Sequence, residues 1–206
     1  MKKIIITGGA GFIGSHLIEK LIKTEVEEIL VIDDLSTGKS ANLSKFNDSN
    51  KVKFINKKVE DVQNLDETFE GYDFCYHLAA GVGVQYIMEN LSKSLLTNIL
   101  ATHEVFEACK KNNIPVLVTS TSEVYGDPKI MPQLETYWGN VNPIGPRSVY
   151  DEAKRFGETL LSHFHRSEGT DTVIVRIFNT YGPRMDPDDG RVVSSFIRDG
   201  IKGESF

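Results

Sequence analysis

Cysteine is scarce: two residues in 206, Cys75 and Cys109. Neither belongs to a CxxC pair or to a Cys/His cluster, so no disulfide framework and no zinc-finger pattern is available. The expectation is two reduced, buried thiols in a cytoplasmic protein. Long apolar runs are also missing. None approaches the roughly 20 residues that a membrane-spanning helix needs. The opening "MKKIIITGGAG" places only three isoleucines before its glycines, too few for a secretory h-region. Positive charge is not in excess: 23 Lys and Arg stand against 29 Asp and Glu, a net charge of −6. That balance argues against nucleic acid or an anionic membrane as partner. Of the five histidines, His16 and His77 are read as structural. His163 and His165, two apart on a helix, do not share a face and make poor metal ligands. No metal is expected.

What the chain does have is an alternation of apolar strands and amphipathic helices. Strands are expected at 2–7, 28–33, 52–56, 74–78, 115–120 and 172–178, and helices at 12–23, 91–113, 148–168 and 192–201. Strands that are apolar throughout, separated by helices, imply a parallel sheet covered on both faces. The expected fold class is therefore α/β, a Rossmann-like doubly wound parallel sheet. The segment 126–146 is long, irregular and holds four of the seven prolines; such loops are often functional.

"ITGGAGFIG" follows the first strand and opens the first helix. Gly8, Gly11 and Gly14 are spaced three apart, as needed for a tight turn, close approach of backbone to a pyrophosphate, and helix–strand contact. The phosphates would lie at the helix N-terminus, where free N–H groups and the helix dipole favour anions. Asp33 ends the second strand 19 residues after Gly14. A carboxylate there can accept from a ribose 2′-hydroxyl and would repel a 2′-phosphate, which favours NAD over NADP. Asp61 follows the third strand, where an adenine amino group could be met.

Two further stretches carry chemistry. "TSTSEVYG" (119–126) leaves the fifth strand at its carboxyl end, where ligands sit in open α/β sheets. "YDEAK" (150–154) puts Tyr150 and Lys154 at i and i+4 on one helix face. An ammonium and an oxidised nicotinamide ring beside a phenol would lower its ordinary pKa of about 10. The phenolate could then take a proton from a sugar hydroxyl while hydride leaves.

Together "TGGAGFIGSHL", "DDLSTG", "YHLAA", "TSTSEVYGDP", "YDEAK" and "RIFNTYGPRM" cover almost the whole chain. On them the protein resembles the extended short-chain dehydrogenase/reductases, the NAD-dependent epimerase/dehydratase family of nucleotide-sugar enzymes. Within that family, "YWGNVNPIGPRSVYDEAKR" and "DDGRVVSSFI" most resemble UDP-glucuronate decarboxylases. The resemblance implies Thr121, Glu123, Tyr150 and Lys154 as catalytic residues. Thr121 would meet the substrate 4-hydroxyl, Tyr150 would be the base, Lys154 would hold the nicotinamide ribose, and Glu123 with Ser122 would act at C5 and C6. It implies cofactor contacts from Gly8, Gly11, Phe12, Ile13, Gly14, Asp33, Ser36, Thr37, Gly38, Asp61, Val62, Leu78, Ala80, Thr97, Tyr150, Lys154 and Thr180. Substrate contacts would come from Ser122, Asn179 and Arg191, and Asn98 would support Lys154. The dehydratases of the family carry an acid where this chain has Ser122, and its 4-epimerases usually lack the glutamate.

The expected activity is thus NAD-dependent decarboxylation of UDP-glucuronate to UDP-xylose through a C4-keto intermediate. The alternatives are nucleotide-sugar 4-epimerisation, 4,6-dehydration, or NAD binding without turnover. One domain is expected over 1–206, with 179–206 the start of the substrate-binding part and the C-terminal substrate lobe largely absent. A homodimer built through the two long helices is implied, and Tyr86, Tyr137 and Trp138 are candidates for the sugar's surroundings. Leu96 stands where a decarboxylase would carry lysine.

Overall fold

Ile4, Ile5 and Ile6 are consecutive and all fully buried. A strand with no exposed side must lie inside a sheet covered on both faces. The computed structural model describes residues 1–80, 91–145 and 148–203, with the backbone alone at 91–94, 96 and 97. In it β1 (Lys3–Thr7) is that strand. It pairs in parallel with β2 (Glu28–Ile32) on one side and β4 (Phe74–His77) on the other. Beyond β2 lies β3 (Val52–Ile55); beyond β4 lie β5 (Val116–Thr121) and β6 (Thr172–Ile177). The order is β3-β2-β1-β4-β5-β6, all parallel. Chain direction across the sheet reverses between β1 and β4, and in such sheets a crevice opens at the carboxyl ends of those strands.

The helices are α1 (Phe12–Leu21), α2 (Ser40–Ser44), α3 (Leu65–Thr68), α4 (Leu91–Lys111), α5 (Ser148–Glu168) and α6 (Val192–Lys202). Side chains alternate across a strand, so β1 and β2 feed two separate cores. Ile4, Ile6, Ile29 and Val31 pack with Ile18, Leu43 and Phe46 on the α1 and α2 side. Ile5, Leu30 and Ile32 pack with Phe69, Val105, Phe106, Val116, Leu161 and Phe164 on the α4 and α5 side. Cys75 and Cys109 are both fully buried in the second core and are unpaired thiols.

The six strands and four longer helices fall where the sequence patterns put them, with ends shifted by a residue or two. The short elements were not anticipated: α2, α3 and the 3-10 turns at Val59–Asp61 and Ser122–Tyr125. Pieces of three to five residues are too short to display a 3.6-residue period. Among the described residues no helix is long and apolar enough to cross a membrane, and no group of His, Cys, Asp or Glu is arranged to hold a metal.

Candidate active site

The glycine turn is shaped by contact. Gly8 has φ +73°, and a Cβ on it would sit 2.7 Å from the backbone nitrogen of Ala79. A Cβ on Gly14 would fall 2.3 Å from the Gly8 carbonyl oxygen. Hydrogen at Gly8 lets the turn press against the chain leaving β4, and hydrogen at Gly14 lets α1 pack on the turn itself. Asp33 holds the turn from the other side. One carboxylate oxygen accepts from the Ala10 N–H at 2.9 Å and the other from the Leu35 N–H at 2.8 Å. Burial pushes its pKa up, and the two backbone donors partly offset that.

A cleft of about 550 Å³ runs along the carboxyl ends of the strands, within the usual range for ligand sites. Gly8, Gly11, Phe12, Ile13, Gly14, Asp33, Ser36, Thr37, Leu78 and Ala80 line one end. Thr121, Ser122, Glu123, Tyr150, Lys154, Asn179 and Arg191 line the other. Four predicted residues do not line it. Gly38 packs on Ala10 and Asp33 beneath it. Asp61 is exposed on the 3-10 turn, Val62 packs toward the second core, and the wall there comes from Val59 and Glu60. Thr180 is exposed, its hydroxyl donating to the Phe178 carbonyl at 2.8 Å. The side chains of Leu96 and Thr97, and Tyr86 altogether, lie outside the described residues. Trp138 is exposed and not on the cleft wall; Tyr137 stacks with Tyr125.

At this second end β5 is gripped by α5. Thr121 caps the turn after β5, its hydroxyl oxygen accepting from the Glu123 N–H at 3.2 Å. With that acceptor site used, its O–H is available to Tyr150, with which it shares a side-chain hydrogen bond. Lys154 Nζ donates to the Thr119 carbonyl at 2.9 Å and sits 6.0 Å from the centre of the Tyr150 ring. Burial pulls the Lys154 pKa down to about 8. Burial also pushes the Tyr150 phenol up, and this outweighs the hydrogen bond from Thr121 and the nearby Arg191 guanidinium. In the protein alone desolvation wins; the lowering expected from an ammonium together with an oxidised nicotinamide ring concerns the cofactor-bound site.

His77 is structural, as anticipated. Its Nδ1 meets the Thr7 hydroxyl at 2.8 Å and its Nε2 the Thr102 hydroxyl at 3.2 Å. Burial first, then the charge on Lys154, lowers its pKa to about 3, so it is a neutral ring tying β1 and α4 to β4. His16 Nε2 meets the Pro183 carbonyl at 2.9 Å.

Sequence reading missed the segment 182–189, which crosses back over α1. Gly182 packs on the Phe12 ring. Arg184 bonds the Ser15 hydroxyl at 3.3 Å and pairs with Glu19. Lys39 pairs with Asp186 at 3.0 Å. Arg184, Met185, Asp186 and Lys39 are all on the cleft wall. "DPDDG" reads as turn chemistry, but nothing local in it points at residues 19 and 39. Arg155 ties the loop 126–145 to the turn after β5: its Nη1 donates to the carbonyls of Val124 at 3.0 Å and Trp138 at 2.9 Å.

The residues present fit a dinucleotide: a hydrogen-only turn at a helix N-terminus, a buried carboxylate at the end of β2, and a buried ammonium at the far end of one cleft. Comparison with known proteins agrees. UDP-glucuronic acid decarboxylase 6 of Arabidopsis thaliana is 47% identical over 204 residues, 99% of this chain and 58% of that protein. UDP-glucuronic acid decarboxylase 1 of Xenopus tropicalis is 43% identical over 205 residues, 100% of this chain and 47% of that protein. The chain thus spans about half the length of these relatives. Among solved structures, a UDP-N-acetylglucosamine 4-epimerase from Methanobrevibacter ruminantium superposes with a TM-score of 0.89 at 36% identity, covering 99% of this chain and 64% of that one. A dTDP-glucose 4,6-dehydratase from Streptomyces venezuelae, solved with NAD bound, gives 0.86 at 28% identity, covering 98% and 62%. Residues 4–206 match the NAD dependent epimerase/dehydratase family, and the chain belongs to that family.

Proposed function

We propose that this chain carries the catalytic half of an NAD-dependent nucleotide-sugar enzyme that decarboxylates UDP-glucuronate to UDP-xylose. The observation that carries the reading is the convergence of Thr121, Glu123, Tyr150 and Lys154 on the reactive end of the cleft whose other end is the glycine turn. The glycine turn, the α1 N-terminus and Asp33 would hold NAD, with Lys154 at its nicotinamide ribose. NAD supplies a hydride acceptor at C4 of the sugar and returns that hydride at the end.

The chain's own residues do the rest. Tyr150 takes the proton of the 4-hydroxyl as hydride leaves C4. Its raised pKa in the protein alone means the phenolate must be favoured by positive charge brought into the cleft, on which Thr121 and Arg191 already act in the same direction. With a ketone at C4, the C6 carboxylate is that of a β-keto acid. It leaves as CO₂, and the electron pair of the C5–C6 bond moves into the ketone as an enolate. Protonation at C5 regenerates the ketone, and Tyr150 returns its proton to the oxygen at C4 as hydride comes back. Glu123 and Ser122 flank the C5–C6 end, and Arg191 and Asn179 meet the nucleotide sugar. Ser122 is no acid, so loss of a 6-hydroxyl lacks a proton donor there, which favours decarboxylation over dehydration.

The two unpaired, buried thiols suit a reducing compartment, in keeping with a cytoplasmic protein. Leu100 on α4 and Phe156 on α5 are exposed apolar residues, in keeping with a homodimer through those helices. A second reading, 4-epimerisation, draws support from the epimerase that superposes at a TM-score of 0.89. Incubating the protein and NAD with UDP-glucuronate, and separately with UDP-glucose, tests both. Release of CO₂ and UDP-xylose supports decarboxylation. UDP-galactose from UDP-glucose, without CO₂ from UDP-glucuronate, replaces it with epimerisation. Bound NAD with no turnover of either sugar leaves an NAD-binding module.

A further inference from the structure

Glu158 extends the line of Tyr150 and Lys154 by one more helical turn on α5. Its carboxylate is closely held. Oε1 accepts from the Ser120 hydroxyl at 2.5 Å and from Arg176 Nε at 2.9 Å, and Oε2 accepts from Arg176 Nη2 at 2.7 Å. The pair is bidentate, with side chains only 13% and 23% exposed. Arg176 lies directly across from Ser120 in the β5–β6 register. Its remaining donor, Nη1, reaches the Tyr125 hydroxyl at 2.9 Å and the Glu135 carbonyl at 3.2 Å. One ion pair thus joins α5, β5, β6 and the turn after β5.

Ser120 stands between the two residues that touch the reactive pair. Thr119 gives its carbonyl to Lys154, and Thr121 shares its hydroxyl with Tyr150. Whatever fixes Ser120 against α5 sets both contacts at once. Glu158 also borders a small pocket with Lys154, Asn98, Thr102 and Ser120, so an unbalanced carboxylate there would act on the ammonium. Lys154 acts on the buried His77 ring from β4, and the charged groups acting on its neighbour Tyr150 are Arg191 at the start of α6, Glu123 after β5 and Asp151 on α5 itself. Among the described residues α4 presents to Lys154 the uncharged Asn98 and Thr102.

We propose that Glu158, charge-balanced by Arg176, is a positioning residue for the reaction: it locks Thr119–Thr121 to the helix that carries Tyr150 and Lys154, and its own charge is withheld from the lysine. The proposal rests on the assignment of Tyr150 and Lys154 as the reactive pair. A fork of two hydrogen bonds fixes orientation in a way that a lysine cannot.

The test compares wild type with Glu158→Gln, Arg176→Lys and Arg176→Met. Measured quantities are thermal stability, NAD affinity, kcat and KM for UDP-glucuronate, and the titration of Lys154 by nitrogen-detected NMR. Glu158→Gln should lower kcat roughly tenfold or more, since small misplacements of reacting groups cost that much, while KM and NAD affinity stay close to wild type. Arg176→Lys should recover part of the kcat that Arg176→Met loses. In Arg176→Met the released carboxylate should move the Lys154 titration to higher pH, and in Glu158→Gln it should stay put. Variants that lose only thermal stability, with kcat and the Lys154 titration unchanged, would overturn the proposal. If Arg176→Met does not fold, Glu158→Gln and Arg176→Lys decide through kcat and its partial recovery. If wild type does not turn over UDP-glucuronate, the decarboxylase reading fails by itself and the Lys154 titration decides this one.

Discussion

The ammonium of Lys154 is bonded to the Thr119 carbonyl oxygen at 2.9 Å. This contact joins α5 to the end of β5 and leaves the lysine beside the phenol, 6.0 Å from its ring centre. A buried cation is costly to keep charged, hence its pKa of about 8. The same burial raises Tyr150.

Tyr150→Phe removes the proposed base while keeping the ring that fills its site. Turnover of nucleotide sugar should fall by roughly 10²–10⁴-fold, with NAD affinity near wild type. Single-turnover absorbance at 340 nm together with an NAD titration checks this; a rate near wild type would remove Tyr150 from the mechanism.

Gly8→Ala should damage both fold and cofactor site. The position has φ +73°, and the added methyl would lie 2.7 Å from the Ala79 nitrogen. The strain alone is worth about 1–3 kcal/mol. A lowered urea midpoint and loss of NAD binding are expected, whereas Gly71→Ala, at φ +78° with open space around it, should spare NAD binding.

Asp33→Asn replaces one of two carboxylate acceptors with an amide donor that faces an N–H. Leaving a buried backbone donor without an acceptor costs about 1–3 kcal/mol. Stability should fall by that order, and NAD affinity should drop as the turn at Ala10 loosens. Calorimetric titration with NAD measures the second effect; unchanged affinity would mean that Asp33 serves the turn only.

His77 predicts a pH dependence. The unfolded chain protonates it near its ordinary pKa of about 6.5, while the folded protein resists until about 3. Between these values the unfolded state binds more protons, so stability declines as pH falls from about 6.5 toward 3. His77→Gln should flatten that part of the curve, read from urea midpoints at pH 7, 6, 5 and 4. An identical slope in the variant would rule out this contribution.

Much of this architecture is local in origin. Apolar strands of five or six residues, helices with a 3.6-residue stripe, and glycines three apart are all written in short windows. So the parallel doubly wound sheet and the glycine turn, with Asp33 beneath it, were legible before any coordinates. Tyr150 and Lys154 were legible as a pair because helix geometry makes i and i+4 neighbours.

The amino-acid sequence by itself determined which side chains have the chemistry: a hydrogen-only turn, a carboxylate closing β2, a hydroxyl cluster closing β5, and a phenol and an amine on one helix face. Tertiary structure alone decided what those groups experience. Burial pushes the Tyr150 phenol up, Arg184 and Asp186 return to α1 and Lys39, and Glu158 finds Arg176 across 18 residues of chain. Local windows carry identity and period; desolvation and charge pairing depend on which distant segments are folded together.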